Sequence, residues 1–248
     1  MSNGEGDAAV KASAPAAGAE QLSHNLLGQR LGRKGRDTRD RIIAAAERLL
    51  ANPGDTPITL SAVAREARLG MTTLYLYFSD FTELLLSVLE PIMASAETTY
   101  VGDMQTWWPD DELRERCLRF VGAYYSFWTR HARVLHLRNN FVDSAGDERL
   151  RDHRISVTMP VIKALATQME GDPEVLLSQA FGMATVILTG FERIIAIATD
   201  ESFASLTMSP GANMENLLKA QGRLLELAIR DCRAASRAAA ISAPAASW

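Results

Sequence analysis

Apolar residues along this chain recur at three- and four-residue intervals, and Val, Ile and Thr form no alternating runs. In the first such stretch Ile42, Ile43, Ala46, Leu49 and Leu50 share one face, with Asp37 or Thr38 placed to cap it and Asn52-Pro53-Gly54 to end it. Thr59 caps a short second helix over 59–67, with Val63, Ala64 and Ala67 inward. The tripeptide Arg68-Leu69-Gly70 leads to a third helix over 71–78 that buries Leu74 and Phe78. Asp80 then opens a longer helix, and Glu83 three residues on completes a capping box ahead of Leu84, Leu85, Val88, Leu89, Ile92 and Met93. Helical periodicity continues over 111–130, 132–141, 148–170, 173–198 and 213–234, punctuated by Gly146, Gly171-Asp172-Pro173 and Ser209-Pro210-Gly211. No internal repeat interrupts this pattern. The expected fold class is all-α.

Both ends fall outside it. Residues 1–28 form a low-complexity extension expected to be disordered, with Leu26-Leu27 as its one apolar pair, and 235–248 read as a flexible, small-residue tail. The 248 residues are 47% hydrophobic and 23% charged, which suits a soluble globular chain. Cys117 and Cys232 provide neither a disulfide framework nor metal-ligand spacing. The longest apolar run, 180–191, stops at Glu192-Arg193, short of the ~20 residues that span a bilayer. The start of the chain carries no secretory leader pattern. The expectation is therefore a cytosolic protein with no membrane partner. His24, His131, His136 and His153 lie at no metalloprotease-like spacing, and no nucleophile elbow or phosphate loop is present. No catalytic residue, metal or cofactor is expected.

Charge changes the picture at one place. Arg30, Arg33, Lys34, Arg36, Arg39 and Arg41 face only Asp37 and Asp40, in a chain whose net charge is −4. A basic arm on an acidic protein is either a solvated charge run or the end that meets a polyanion. Beside it stand two short helices joined by a three-residue turn, a helix-turn-helix, which places the start of its second helix in the DNA major groove. Ala64 and Ala67 are small enough for a close crossing, and Thr72 and Thr73 sit where that helix is nearest the bases.

The run Arg41-Ile42-Ile43-Ala44-Ala45-Ala46, then Gly54, Thr59, Val63-Ala64 and above all Thr73-Leu74-Tyr75-Leu76-Tyr77-Phe78 resembles the tetracycline-repressor family over residues 32–90. The resemblance implies an N-terminal three-helix helix-turn-helix domain over 29–82 and a helical effector-binding and dimerisation domain over 83–234. It implies that Thr59, Tyr75 and Tyr77 touch DNA phosphates while Met71, Thr72, Thr73 and Leu76 face base edges. Arg33 or Lys34 would enter the flanking minor groove. Three departures stand out. The turn is Arg-Leu-Gly where the family usually has Gly-Val-Ser, so a serine cap is missing and Arg68 occupies a position that favours glycine. Phe81 stands where a phosphate-binding lysine is expected. No Arg, Asn or Gln lies within 71–76 to read G or A bidentately, so thymine methyl contacts, Arg68, the arm and DNA shape are left to carry specificity.

For the second domain the resemblance implies a small-molecule effector and a homodimer. Phe120, Tyr124, Phe127, Trp128 and His131 form one aromatic stripe, a pattern more often core than ligand box, and Met159, Phe181 and Met183 are candidates for the far wall. Trp107-Trp108 reads as a lid or as a cover for the core. His131, His136, Arg138, Asn139 and Asn140 are the polar candidates, each explained as readily by surface exposure. The expected effector is largely hydrophobic with one polar handle. The helices near 173–198 and 213–234 correspond to a dimerisation pair, with Ala180, Gly182, Ala184 and Gly190 allowing close approach and Val186, Ile187, Ile194 and Ile195 adding apolar contact. A two-fold dimer implies double-stranded, palindromic operator DNA as partner. The alternative is an activator, or a regulator of the same fold controlled by a protein partner.

Overall fold

The computed structural model describes residues 32–51, 58–169, 178–199 and 210–242. Among them every regular element is helical: α1 (Arg33–Ala51), α2 (Leu60–Glu66), α3 (Met71–Leu74) and α4 (Phe81–Ala94), then a π turn at Glu97–Val101 and a 3-10 turn at Gly102–Gln105. After these come α5 (Leu113–Ala145), α6 (Glu148–Gln168), α7 (Gln179–Thr199) and α8 (Pro210–Ser242). Two compact units result, one ending at Leu84 and the other beginning at Leu85. The N-terminal extension over 1–28, Arg30, the breakers Asn52-Pro53-Gly54 and Gly171-Asp172-Pro173, and the last six residues lie outside the described residues.

In the first unit α1 starts at Arg33, ahead of the expected caps. Thr38 is inside the helix, its hydroxyl donating to the Lys34 carbonyl at 2.8 Å. The expected arm is therefore helical where it is described, and Arg33 and Lys34 are exposed in a first turn that carries no acid. Ile42, Ala45 and Ala46 form the buried face against α2. Thr59 caps α2 from an extended conformation, accepting the Ala62 N–H at 3.2 Å. Ala62, Val63, Ala64 and Ala67 are buried, and Leu74 and Phe78 close the same core at 0% exposure.

The turn between α2 and α3 is a Schellman motif. Arg68 N–H donates to the Arg65 carbonyl at 3.1 Å and Leu69 N–H to the Ala64 carbonyl at 2.9 Å. That geometry requires a left-handed residue between them, and Arg68 supplies it at φ 55°. Gly70 then caps α3 from φ −74°, ψ 152° without a side-chain bond. The α-helix that begins there lasts only from Met71 to Leu74, shorter than the 71–78 expected. Beyond Leu74 the chain keeps coiling by tighter bonds, from Leu76 N–H to the Thr73 carbonyl and from Tyr77 N–H to the Leu74 carbonyl. Asp80 accepts the Glu83 N–H at 2.9 Å, as expected of a cap, and the Glu83 carboxylate reaches back to the Ser79 N–H and hydroxyl at 2.7 and 2.8 Å.

In the second unit α5 packs along α8 and α6 along α7. The break expected after residue 130 is a kink inside one continuous helix, where His131 sits at φ −114°, ψ 16°. Gly146, at φ 63°, ends α5, and Asp147 caps α6 by accepting the Leu150 N–H at 3.0 Å. Gly222 is a close-approach glycine: a Cβ there would come within 2.6 Å of the Leu118 side chain. The α8 helix begins at Pro210 and runs to Ser242, past both expected limits, because proline is tolerated in a first turn and the alanine-rich end has high helix propensity. On α7, Ala180, Ala184, Ile187 and Ile195 are buried within the chain, which removes them from the expected dimer face; Gly182 and Val186 are exposed. By length and composition α7 would also suffice to cross a membrane. Glu192 nonetheless lies buried in its midst, a cost offset only by a charged neighbour.

One cation ties three segments of this unit together. Arg233 on α8 is 1% exposed, donates from Nε to the Gln168 carbonyl at 2.9 Å and from Nη1 to Asp110 at 2.6 Å, and lies 3.9 Å from the Trp107 ring centroid. Gln168 in turn accepts the Trp108 N–H at 2.9 Å and donates to the Met104 and Thr106 carbonyls. Trp108 is thereby held at 0% exposure, as cover for the core. Replacing Arg233 with Ala leaves the Gln168 carbonyl buried and unpaired. We expect Arg233→Ala to lower unfolding stability by roughly 2–3 kcal/mol, read from urea unfolding followed by tryptophan fluorescence. Arg68→Gly has the opposite sign: relief of the left-handed strain, partly offset by glycine's added unfolded-state freedom, gives a gain of roughly 0.5–1 kcal/mol in the same measurement.

Candidate functional site

The first unit presents an exposed reading surface built on the α2–α3 turn. Thr59 is exposed at the start of α2, with its hydroxyl 3.0 Å from that of Ser61. Across the turn Arg68, Thr72 and Tyr75 are exposed, Tyr75 at 49%, while Met71, Thr73, Leu76 and Tyr77 are half-buried. Leu74 and Phe78 point the other way, and the Arg39 guanidinium lies 5.1 Å from the Phe78 ring. The short helix is thus clamped from behind, and its polar and methyl-bearing side remains in solvent. Arg48 and Glu66 pair at 2.8 Å and tie α1 to α2, an exposed contact worth little on its own.

The second unit contains a polar centre inside the aromatic stripe. Tyr124 and Trp128 border a void of about 20 Å³ together with Tyr100, Phe127, Arg138 and Glu192. Phe120, His131, Met159 and Phe181 lie outside its lining. Phe120 packs between Trp108 and Tyr124, with ring centroids 6.2 and 5.9 Å away. His131 faces Phe127 at the kink, at 5.0 Å. Met159 is half-buried and Phe181 is buried near the start of α7. Tyr100, from the π turn, meets Tyr124 and Phe127 edge-on at 5.0 and 5.3 Å.

Arg138 is not a surface group. It is 3% exposed, lies 3.5 Å from Glu192, and donates twice to the Asn139 side-chain oxygen at 3.2 and 3.1 Å. Burial lowers the arginine's proton affinity, and burial pushes the Tyr100 and Tyr124 hydroxyls above their ordinary range. Glu192 Oε1 and His153 Nδ1 are both buried without a hydrogen-bond partner. Burial, with Arg138 adding to it, holds His153 below the usual imidazole value. His136 pairs with Thr199 at 2.9 Å and meets the Trp128 ring edge-on at 6.2 Å, outside the void's lining.

Beside the void lies a cleft of about 390 Å³, within the usual range for small-molecule sites. Met93, Tyr100, Val157 and Val161 border both spaces. Glu90, Glu97 and His153 supply the cleft's polar lining. Sequence reasoning missed Tyr100, Glu192 and His153 as lining groups. For Tyr100 no signal was available, since it sits on an irregular turn; for Glu192 the signal was a lone acid interrupting the longest apolar run. Among the described residues no group of His, Cys, Asp and Glu is placed to hold a metal ion.

Residues 42–88 match the sequence profile of the bacterial regulatory proteins of the tetR family. No curated protein sequence matches the chain. Among solved structures, a TetR family transcription regulator from Marinobacter aquaeolei VT8 superposes with TM-score 0.52 at 16% identity, over 79% of this chain and 98% of that one. The fatty acid degradation regulator FadR from Bacillus halodurans superposes with TM-score 0.52 at 17% identity, over 80% of this chain and 97% of that one. These two share the fold with this chain. The similarity to the bacterial regulatory proteins of the tetR family thus lies in residues 42–88, the helix-turn-helix domain whose reading surface is exposed as described.

Proposed function

We propose that this chain is a transcriptional repressor that binds a palindromic operator as a homodimer and is released by a small, largely hydrophobic effector. The observation that carries this reading is the course of α4. This helix begins at Phe81, directly after the reading surface, and carries Glu90 and Met93 into the lining of the 390 Å³ cleft. A ligand that fills the cleft presses on the same rod that leaves the DNA-reading unit. Occupancy then favours conformers in which the two reading heads of a dimer no longer match successive grooves. A coupling of about 1–3 kcal/mol corresponds to a 5–150-fold loss of operator affinity. The open cleft supports a small molecule over a protein partner as effector.

At the DNA, Thr59, Tyr75 and Tyr77 take phosphates, and Arg68 adds a charge to that set; Arg33 and Lys34 reach the flanking duplex from the first turn of α1. Met71, Thr72, Thr73 and Leu76 face base edges, where apolar contact favours thymine methyl groups. The domain boundaries that follow are 29–82 for reading and 83–234 for effector binding and dimerisation. For the dimer, α7 offers Gly182, Val186, Gly190 and Ile197 along one side, with Val186 70% exposed, and α8 offers Leu224 and Leu227 at 53% and 47%. Exposed aliphatic residues at helical spacing on two packed helices form an apolar face that a second copy covers.

Selection of genomic fragments by the purified protein at fixed, near-physiological salt is expected to recover one recurrent palindrome. Met71→Ala with Leu76→Ala then relaxes preference at thymine positions, whereas Arg68→Ala weakens all sequences alike and reduces the salt slope by about 1. An unchanged preferred sequence in the Met71/Leu76 double variant overturns the readout assignment. For the dimer, Val186→Glu combined with Leu224→Glu is expected to give monomers by light scattering and to lose the full palindrome; a dimer that persists places the interface elsewhere.

A further inference from the structure

The polar centre of the second unit carries an unsatisfied charge that limits what the effector can be. Glu192 is 8% exposed and lines the void, and its Oε1 accepts no hydrogen bond. Arg138 Nη2 stands 3.5 Å from that same oxygen, and the guanidinium spends two donors on Asn139. A buried carboxylate oxygen without a donor is costly in an isolated chain and is satisfied by a ligand that brings one. The other unpartnered atom on these surfaces is His153 Nδ1, which donates or accepts according to the imidazole tautomer. The Glu192 oxygen asks for a donor.

The sign of the surrounding charge points the same way. The void and the cleft are lined by three carboxylates, Glu90, Glu97 and Glu192, against the single cation Arg138. An anionic effector would gain Arg138 but meet all three. A cationic one meets the reverse balance, and the four aromatic residues Tyr100, Tyr124, Phe127 and Trp128 in the lining supply aromatic and apolar area suited to a hydrophobic cation. The void, at about 20 Å³, admits a group the size of a water molecule, which is also the size of an ammonium head. Met93 stands on the border between void and cleft, and an unbranched, flexible side chain is the kind that shifts to let a head group pass.

We propose that the effector is a hydrophobic amine, bound as its ammonium ion with Glu192 as the recognising anion and its apolar body in the cleft. This rests on the reading of the cleft as the effector site. The test uses the full chain and three probes that share one body and differ in the head group: 4-phenylbutylamine, 4-phenylbutanol and 4-phenylbutyrate. Binding is followed by quenching of tryptophan fluorescence, and the response by release of an operator fragment. The ammonium is expected to bind at least tenfold more tightly than the alcohol, with the carboxylate weaker still, and Glu192→Gln to abolish the difference. Because that variant leaves Arg138 unpaired in the core, the double variant Arg138→Met/Glu192→Leu serves beside it, and is expected to bind ammonium no better than alcohol. A preference for the carboxylate or the alcohol, or an ammonium preference that survives in the double variant, overturns the amine assignment and leaves the cleft as the effector site. Failure of all three probes to bind overturns both.

Discussion

The second unit depends on a buried guanidinium. Arg233 is a full positive charge at 1% exposure, and the surrounding chain bonds its Nε and Nη1, while Nη2 is buried without a hydrogen-bond partner. The Gln168 carbonyl at the end of α6, the Asp110 carboxylate and the face of Trp107 each take one side of the group. Since Trp107 and Asp110 share one loop while Gln168 lies far along the chain, the cation fixes the end of α6, the loop before α5 and the last helix in one arrangement. Arg237, one turn on, adds a second bond to Asp110 at 3.0 Å, and the two arginines hold that carboxyl below its ordinary range. Gln168 extends the clamp to the backbone of residues 104–108, which is how an irregular loop comes to bury Trp108 completely.

A rigid end of this kind gives the polar centre something to work against. Arg138 and Glu192 form a second buried pair, but a looser one: Arg138 Nη2 stands 3.5 Å from Glu192 Oε1, too far for a hydrogen bond, and a void lies beside it. A close pair rigidifies the core, while a loose one keeps a preference for whatever completes it. The two pairs differ in this way, since Arg233 and Asp110 meet at 2.6 Å. On α4, Leu84, Leu85, Val88 and Leu89 are nearly or fully buried.

Legibility in the sequence followed the physics of each element. The first unit was readable because its local signals agree: Thr59 is a cap by type and place, Leu74 and Phe78 are buried by spacing, and Arg68 at a glycine position implied the positive φ that is found. Where two local signals competed, the reading slipped. Asp37 and Thr38 look like caps, but α1 starts at Arg33, with Arg33, Lys34 and Arg36 favouring the helix around the unfavourable Gly35. The kink at His131 was anticipated as a break, because a hydrophobic period shows where a pattern shifts but not whether the backbone is severed. Arg138 and Glu192 were opaque for a different reason. Charge in a sequence reads as surface, and only the three-dimensional meeting of α5 and α7 shows that each makes the other's burial tolerable. The same limit applied on α7, where all four small residues read as an interface although Ala180 and Ala184 serve the chain's own core.

The reading surface follows from one further trade. Its exposed side offers methyl groups and hydroxyls, so each base contact discriminates weakly compared with a bidentate arginine or asparagine. Specificity must then accumulate over many small terms, which places a premium on holding the surface in a single geometry. The turn meets that need at the expense of strain: with Arg68 in the left-handed position, both Schellman bonds form and α3 is capped by Gly70 at the angle that puts Leu74 and Phe78 in the core. Glycine would satisfy the backbone more cheaply but would leave no charge at the edge of the reading surface. Arginine there accepts a local cost and sets an exposed cation beside the start of α3. In the proposed complex that cation takes a duplex phosphate, so a weak code on the bases and a strained cation on the backbone are complementary: the second fixes the register that the first needs in order to be read.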